Sequence, residues 1–133
     1  MTHVTKGTGK RVLVIDDAGL VRLYYRTALE EAGFEVAEAL NGLEALEQLL
    51  TTPFDLMVVD VNMPQMDGLS FLQTVRAKSL PLAATPALVT TSETAPQRVR
   101  AARAAGANFY LVKPLSPETL VQYAALLCGV RHE

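Results

Sequence analysis

Two textures of apolar residues alternate along this chain. One is the short, nearly continuous run: VLVI at 12–15, FDLMVV at 54–59 with Asp55 its one interruption, ALVT at 87–90 and FYLV at 109–112. All four read as strands, and the aliphatic, β-branched runs at 12–15 and 54–59 as strands covered on both faces. The other texture is apolar residues at helical spacing. Leu20, Leu23, Tyr24 and Ala28 recur that way up to Gly33, which is placed to end the helix, and Leu43, Leu46 and Leu50 do so across 42–50, where Pro53 closes the segment. Between these helices, 35–39 alternates as a half-covered edge strand does. After the turn-like MPQMDG a helix is predicted over about 69–78, with Asp67 as its cap. The linker SLPLAATP cannot be helical throughout, Pro96 opens an alanine-rich helix that Gly106 ends, and Pro117 opens the last one. Residues 1–10 and 131–133 lack any period and are expected as tails.

Strand and helix therefore alternate five times, and loops this short imply right-handed parallel crossovers with helices on both faces. The expected fold is α/β, one doubly wound five-stranded parallel sheet occupying 11–130. A chain of 133 residues suffices for a single core and a single domain.

Candidate chemistry gathers where the runs end. Asp16 and Asp17 follow the first strand, Asp60 the third, Thr91 the fourth and Lys113 the fifth. In open α/β sheets that carboxyl edge is where sites are built. If the first and third strands are neighbours, three acids meet there. Two unit negative charges about 4 Å apart repel by on the order of 4 kcal/mol at an effective dielectric of 20, so such a group needs a compensating cation. Mg²⁺ suits it, because it takes one or two carboxylates, keeps several waters and accepts a phosphate oxygen. Lys113 adds a second positive charge, and Thr91 a hydroxyl donor. With these on the equatorial oxygens, an Asp60 carboxylate could attack a phosphoryl group in line and hold it as an acyl phosphate. Each residue alone has a commonplace reading: helix cap, turn, strand former, surface Lys-Pro. Their joint placement on one edge is what points to chemistry.

Composition excludes more than it assigns. Twelve Lys and Arg stand against 14 Asp and Glu, which leaves no electrostatic footprint for DNA or an anionic membrane. Cys128 is the only cysteine; an internal disulfide and a cysteine zinc site are excluded, and a reducing cytoplasm fits. No run reaches the roughly 18 apolar residues of a membrane span, and MTHVTKGTGK lacks the apolar core of a signal peptide. KGTGKR lacks the full P-loop spacing and precedes a strand instead of following one. His3 and His132 lie in the tails, so neither is expected to act as an internal phosphodonor.

VLVIDD, ALNGLEAL, DVNMPQMDG, TSE and NFYLVKP, in that order, resemble the successive motifs of the response-regulator receiver domain, the phosphoacceptor module of two-component signalling. The match covers 11–130. The resemblance implies a flavodoxin-like strand order 2-1-3-4-5, which is the known order of the family's chemotaxis member and is inherited from it, not deduced from the residues. It implies that Asp60 is the phosphoacceptor and that Asp16 and Asp17 are the Mg²⁺ acids, Asp17 directly and Asp16 partly through water, with the backbone carbonyl of Asn62 completing the protein's share. Lys113 would pair with the phosphoryl group, and Pro114 would follow a cis bond. Measured from Pro86 and Gly106 the switch hydroxyl is Thr91, while the count from Asp60 leaves Thr90 open. Tyr110 resembles the aromatic that turns inward when that hydroxyl moves.

By the same resemblance the phosphodonor is a histidine kinase or a histidine phosphotransfer protein, and the output is an unknown downstream protein target. The switching face would be the fourth helix, fifth strand and fifth helix, at 95–105, 108–112 and 116–127, which would also serve a homodimer. The chain is expected to be a stand-alone cytoplasmic module with no effector domain after Val130. It is expected to be no enzyme beyond catalysing its own phosphorylation and dephosphorylation. Two features depart from the pattern or leave it unread. Gly19 stands where the family often has a small polar residue, and Asn62 and Glu93 flank the phosphate where side chains tune hydrolysis. Other readings fit less well. A haloacid-dehalogenase-type phosphatase wants a second acid where Asn62 stands, and Asp16 and Asp17 would repel the phosphate of FMN in a flavodoxin-type binder. A scaffold of receiver shape that signals by binding alone is the remaining alternative.

Overall fold

The computed structural model describes residues 7–63, 66–92 and 94–130; most of both expected tails, and Glu93, lie outside the described residues. The elements alternate as β1 (Arg11–Ile15), α1 (Gly19–Glu31), β2 (Glu35–Ala39), α2 (Gly42–Thr51), β3 (Leu56–Asp60), α3 (Gly68–Arg76), β4 (Ala87–Thr91), α4 (Pro96–Ala105), β5 (Phe109–Val112) and α5 (Pro117–Cys128). A short 3-10 turn at Leu82–Ala84 precedes β4. All strand pairs are parallel, in the order β2-β1-β3-β4-β5.

The period of two in each strand divides one sheet between two cores. Val12, Val14, Leu56, Val58 and Leu88 face α1 and α5. Leu13, Ile15, Met57, Val59 and Val89 face α2, α3 and α4. Burial on both sides explains why the central strands read as unbroken apolar runs. β3 begins at Leu56 and not at the expected residue 54. Asp55 serves the neighbouring strand instead. Its Oδ2 accepts the Arg11 N–H at 2.8 Å, which joins the start of β1 to the loop before β3. Upstream, Thr8 N–H donates to Gly33 O at 2.9 Å.

In two helices the stripe that announces the helix packs only in part, through Ala28 in α1 and Leu46 in α2. α1 buries Tyr25, Ala28 and Leu29, whereas Leu20 and Leu23 are exposed. α2 buries Ala45 and Leu49 and exposes Leu43 and Leu50. Each helix carries more apolar residues than one face of the sheet can cover, so spacing identifies the helix without fixing its rotation. The caps follow the sequence closely. Asn41 Oδ1 accepts the Glu44 N–H and Glu44 Oε1 accepts the Leu40 N–H, while Asp67 Oδ1 accepts the Ser70 N–H at 2.9 Å as expected.

Two glycines are needed where chain meets chain. A Cβ on Gly68 would collide with the carbonyl oxygen of Asp60 and lie 2.9 Å from Val61 Cα, so the start of α3 rests directly on the end of β3. Gly106, at φ 111°, ends α4 in the left-handed region and leaves room for the side chain of Arg76. Arg76 donates to Gly106 O, Ala83 O, Thr85 O and Asn108 Oδ1. One half-buried guanidinium thus joins α3, the loop before β4 and the end of α4. Gly68→Ala is expected to lower stability by about 1–3 kcal/mol through overpacking, measured by urea denaturation.

Candidate functional site

The ends of β1, β3 and β5 bring the expected charges together. Asp16 leaves β1 buried. Its Oδ1 accepts the Ala18 N–H at 2.9 Å, and its Oδ2 accepts Lys113 Nζ at 3.0 Å. Its backbone carbonyl accepts Arg22 Nη1 at 2.7 Å, so the turn into α1 is held from both sides. Asp17, next along, is exposed. Asp60 closes β3, buried, with its Oδ1 accepting Lys113 Nζ at 3.3 Å and the Asn62 N–H at 3.3 Å. Carboxylate oxygens of Asp16, Asp17 and Asp60 all lie within 4.8 Å of one another. Lys113 N–H in turn donates to Thr91 O at 2.6 Å, which anchors the lysine's backbone to the end of β4. The Lys113–Pro114 bond is cis, as the motif implied.

The electrostatics follow from crowding and burial. Burial, then repulsion from Asp16, push the Asp60 carboxyl above the usual range, although Lys113 and the Asn62 N–H pull the other way. Burial disfavours the Lys113 charge, yet hydrogen bonding and attraction from Asp16, with attraction from Asp60, outweigh it and hold the ammonium up. Three carboxylates face one ammonium, so the pocket keeps an excess of negative charge. Its donors are all oxygens, the set that a hard divalent cation takes. Asp16, Asp17 and Asp60 would be the side chains to hold it.

The two candidate hydroxyls have different surroundings. Thr90 pairs in register with Asp60 on β3, is fully buried, hydrogen-bonds Tyr25 and places its Oγ1 3.5 Å from Val59 O. Thr91, the last residue of β4, lies on the other side of the pleat, the side on which Tyr110 packs against the α2, α3 and α4 core. Thr91 and Tyr110 therefore share a face.

A model of the response regulator receiver domain matches residues 12–125. The chain belongs to the response-regulator receiver family. It is 37% identical over 111 residues to chemotaxis protein CheY-3 of Vibrio cholerae, covering 83% of this chain and 85% of that one. The same identity is found with chemotaxis protein CheY of Pseudomonas aeruginosa, covering 89% of that relative. Among solved structures, CheY4 of Vibrio cholerae superposes with a TM-score of 0.83 at 38% identity, over 89% of this chain and 98% of that one. The Francisella response regulator 1452 receiver domain gives 0.84 at 29% identity, over 91% and 98%.

Reading motifs alone missed Tyr25 in this receiver domain. The apolar stripe drew attention to Tyr24, whose hydroxyl donates to Leu115 O at 3.1 Å. Tyr25, one residue on, turns inward to Thr90 and to the charges of Lys113, Asp16 and Asp60, and burial pushes its phenol above the ordinary value. The available signal was its spacing from Ala28 and Leu29, the face that packs. Tyr24, Tyr25 and the stem of Lys113 also line an apolar groove of about 550 Å³ with Leu20, Val21 and Leu115.

Because the folded state raises the Asp60 carboxyl, it binds that proton more tightly than the unfolded chain does. Stability is therefore lost as pH rises from the ordinary carboxyl range through the raised value, and the cost persists at neutrality. Without divalent cation at pH 7, Asp60→Asn is expected to raise the melting temperature by on the order of a few °C. That gain should vanish below about pH 4, where the unfolded carboxyl is protonated as well; calorimetry across pH checks it.

Proposed function

We propose that this receiver domain accepts a phosphoryl group on Asp60 from a phosphohistidine partner in a Mg²⁺-dependent reaction, and switches a protein-binding surface in response. The observation that supports it most is the meeting of Asp16, Asp17 and Asp60 within 4.8 Å beside an ammonium that contacts two of them. Such a concentration of carboxylates suits a bound divalent cation, which would offset the repulsion between a carboxylate nucleophile at the strand end and an anionic phosphoryl group.

In this reading an Asp60 carboxylate oxygen attacks phosphorus, the phosphorus–nitrogen bond of the phosphohistidine breaks, and the imidazole leaves with the bonding pair and takes up a proton. The product is an acyl phosphate. Bound Mg²⁺ would neutralise phosphoryl oxygens, held by Asp16, Asp17, Asp60 and the backbone carbonyl of Asn62. Lys113 stands ready to shift its ammonium from the Asp60 carboxylate to the new phosphoryl group. Between the two hydroxyls the reading favours Thr91 as the switch, since Thr90 is committed to Tyr25 inside the core. Phosphorylation adds charge and strong acceptors at one point, and the residues that reach for them bias a two-state surface. α4, β5 and α5 carry that surface, and Tyr110 moves with Thr91. The donor is a histidine kinase or histidine phosphotransfer protein. The chain turns over no external substrate, and works in the cytoplasm; among the described residues no helix is long and apolar enough to cross a membrane.

The test is intact-mass measurement after treatment with acetyl phosphate and Mg²⁺. One phosphoryl adduct is expected on the unaltered protein, none on Asp60→Asn, and none when the metal is chelated. Stoichiometric labelling of Asp60→Asn would remove the nucleophile from its role. Lys113→Ala is expected to be labelled but to transmit weakly, read as loss of the phosphorylation-dependent chemical-shift change at Tyr110.

A further inference from the structure

The charges of this chain are sorted by position. Between Arg26 and Arg76 it carries nine Asp and Glu side chains and no Lys or Arg. α4 carries Arg98, Arg100 and Arg103 and no acid. The strand order puts β2, with α2 packed on it, at one edge of the sheet, and β5, with α4 packed on it, at the other. Glu30, Glu35 and Glu38 are paired with Arg26, Arg11 and Arg22, so at the β2 edge it is Glu44 and Glu47 of α2 that stand opposite in sign to the arginines of α4 at the β5 edge.

Each end also exposes apolar surface of matching kind. On α2, Leu43, Glu47 and Leu50 follow one another at helical spacing along the outer face, and the two leucines are 51% and 64% exposed. Between α4 and β5 runs a groove of about 190 Å³, floored by Val99, Phe109 and Tyr110 and rimmed by Arg103. Among the described residues, no ion pair engages Arg100, Arg103, Glu44 or Glu47.

We propose that copies of this receiver domain associate head to tail. The Leu43, Glu47 and Leu50 face of α2 on one copy seats on the α4–β5 groove of the next, with Glu47 and Glu44 opposite Arg100 and Arg103. A head-to-tail contact uses two different patches, so it repeats and does not close at two copies. The groove shares Tyr110 with the proposed switching face, but the test is run on the unphosphorylated protein, so its outcome is distinguishable from that of the phosphoryl-transfer reading.

Sedimentation velocity over a range of concentrations decides it. The unaltered protein is expected to grow past dimer as concentration rises, and to fall back towards monomer at high salt, where screening reaches about 3 Å at 1 M. Arg100→Glu with Arg103→Glu destroys one patch, and Leu43→Ser with Leu50→Ser the other. All four positions are exposed, and circular dichroism should be unchanged. Each double variant alone is expected to associate at least about tenfold more weakly. Mixed in equal amounts, they retain one intact patch apiece and should form a 1:1 complex that grows no further. A protein monomeric at every concentration would overturn the proposal. So would growth that stops at dimer, a Leu43→Ser, Leu50→Ser variant that associates normally, or a mixture that stays monomeric.

Discussion

Mutual repulsion among three carboxylates is the constraint around which this molecule is arranged. Asp16, Asp17 and Asp60 are held within 4.8 Å of one another by backbone, not by attraction. Adjacent parallel strands β1 and β3 deliver them to one edge, and the chain then has few ways of moving them apart. Asp16 is fastened through its carboxylate to Ala18 and through its carbonyl to Arg22, and Asp60 has Gly68 pressed against its own carbonyl. Lys113 offsets part of the repulsion. The remainder is what a cation bound there would relieve, since any ligand that binds only the folded pocket returns stability by mass action.

Lys113 also separates two kinds of surface. Its ammonium sits among the acids, while its stem walls the apolar groove beside Tyr24 and Leu115, a division that long cationic side chains make easily. The chemistry is therefore confined to a small polar crevice, and the larger neighbouring groove has no polar machinery of its own. Tyr25 lies behind both, with its hydroxyl against Thr90, and links the wall of the groove to the core under the acids.

How far the sequence reveals this structure depends on which physical signal each feature leaves. The central strands are covered on both faces, so they appear as apolar runs, and Asp16, Asp17 and Asp60 are found because they end such runs, while Lys113 follows the partly exposed edge strand β5. The aspartate of the turn before α3 announces a cap, and Asp67 caps that helix; the close approach at Gly68 and the cap at Asn41 emerge only with the fold. Helix rotation leaves a weaker trace. In α1 the choice between Tyr24 and Tyr25 rests on a turn of about 100° per residue, and only packing against the sheet resolves it. The same holds for Leu43 against Ala45 in α2. Strand order leaves no local trace at all, because it is decided by crossovers. Thr90 and Thr91 could not be told apart by counting, whereas the pleat assigns them to opposite faces.

The hold of Arg76 on Gly106 has a mechanical consequence. A rod pinned at one end can only swing at the other, and α4 is pinned at its last turn, where a single guanidinium grips carbonyls of that turn and of the loop before β4. Its first turn, at Pro96, follows closely on Thr91. A small push delivered there displaces the first turn most and dies away along the rod, while the pivot, at the opposite end of the strands from the acids, stays still.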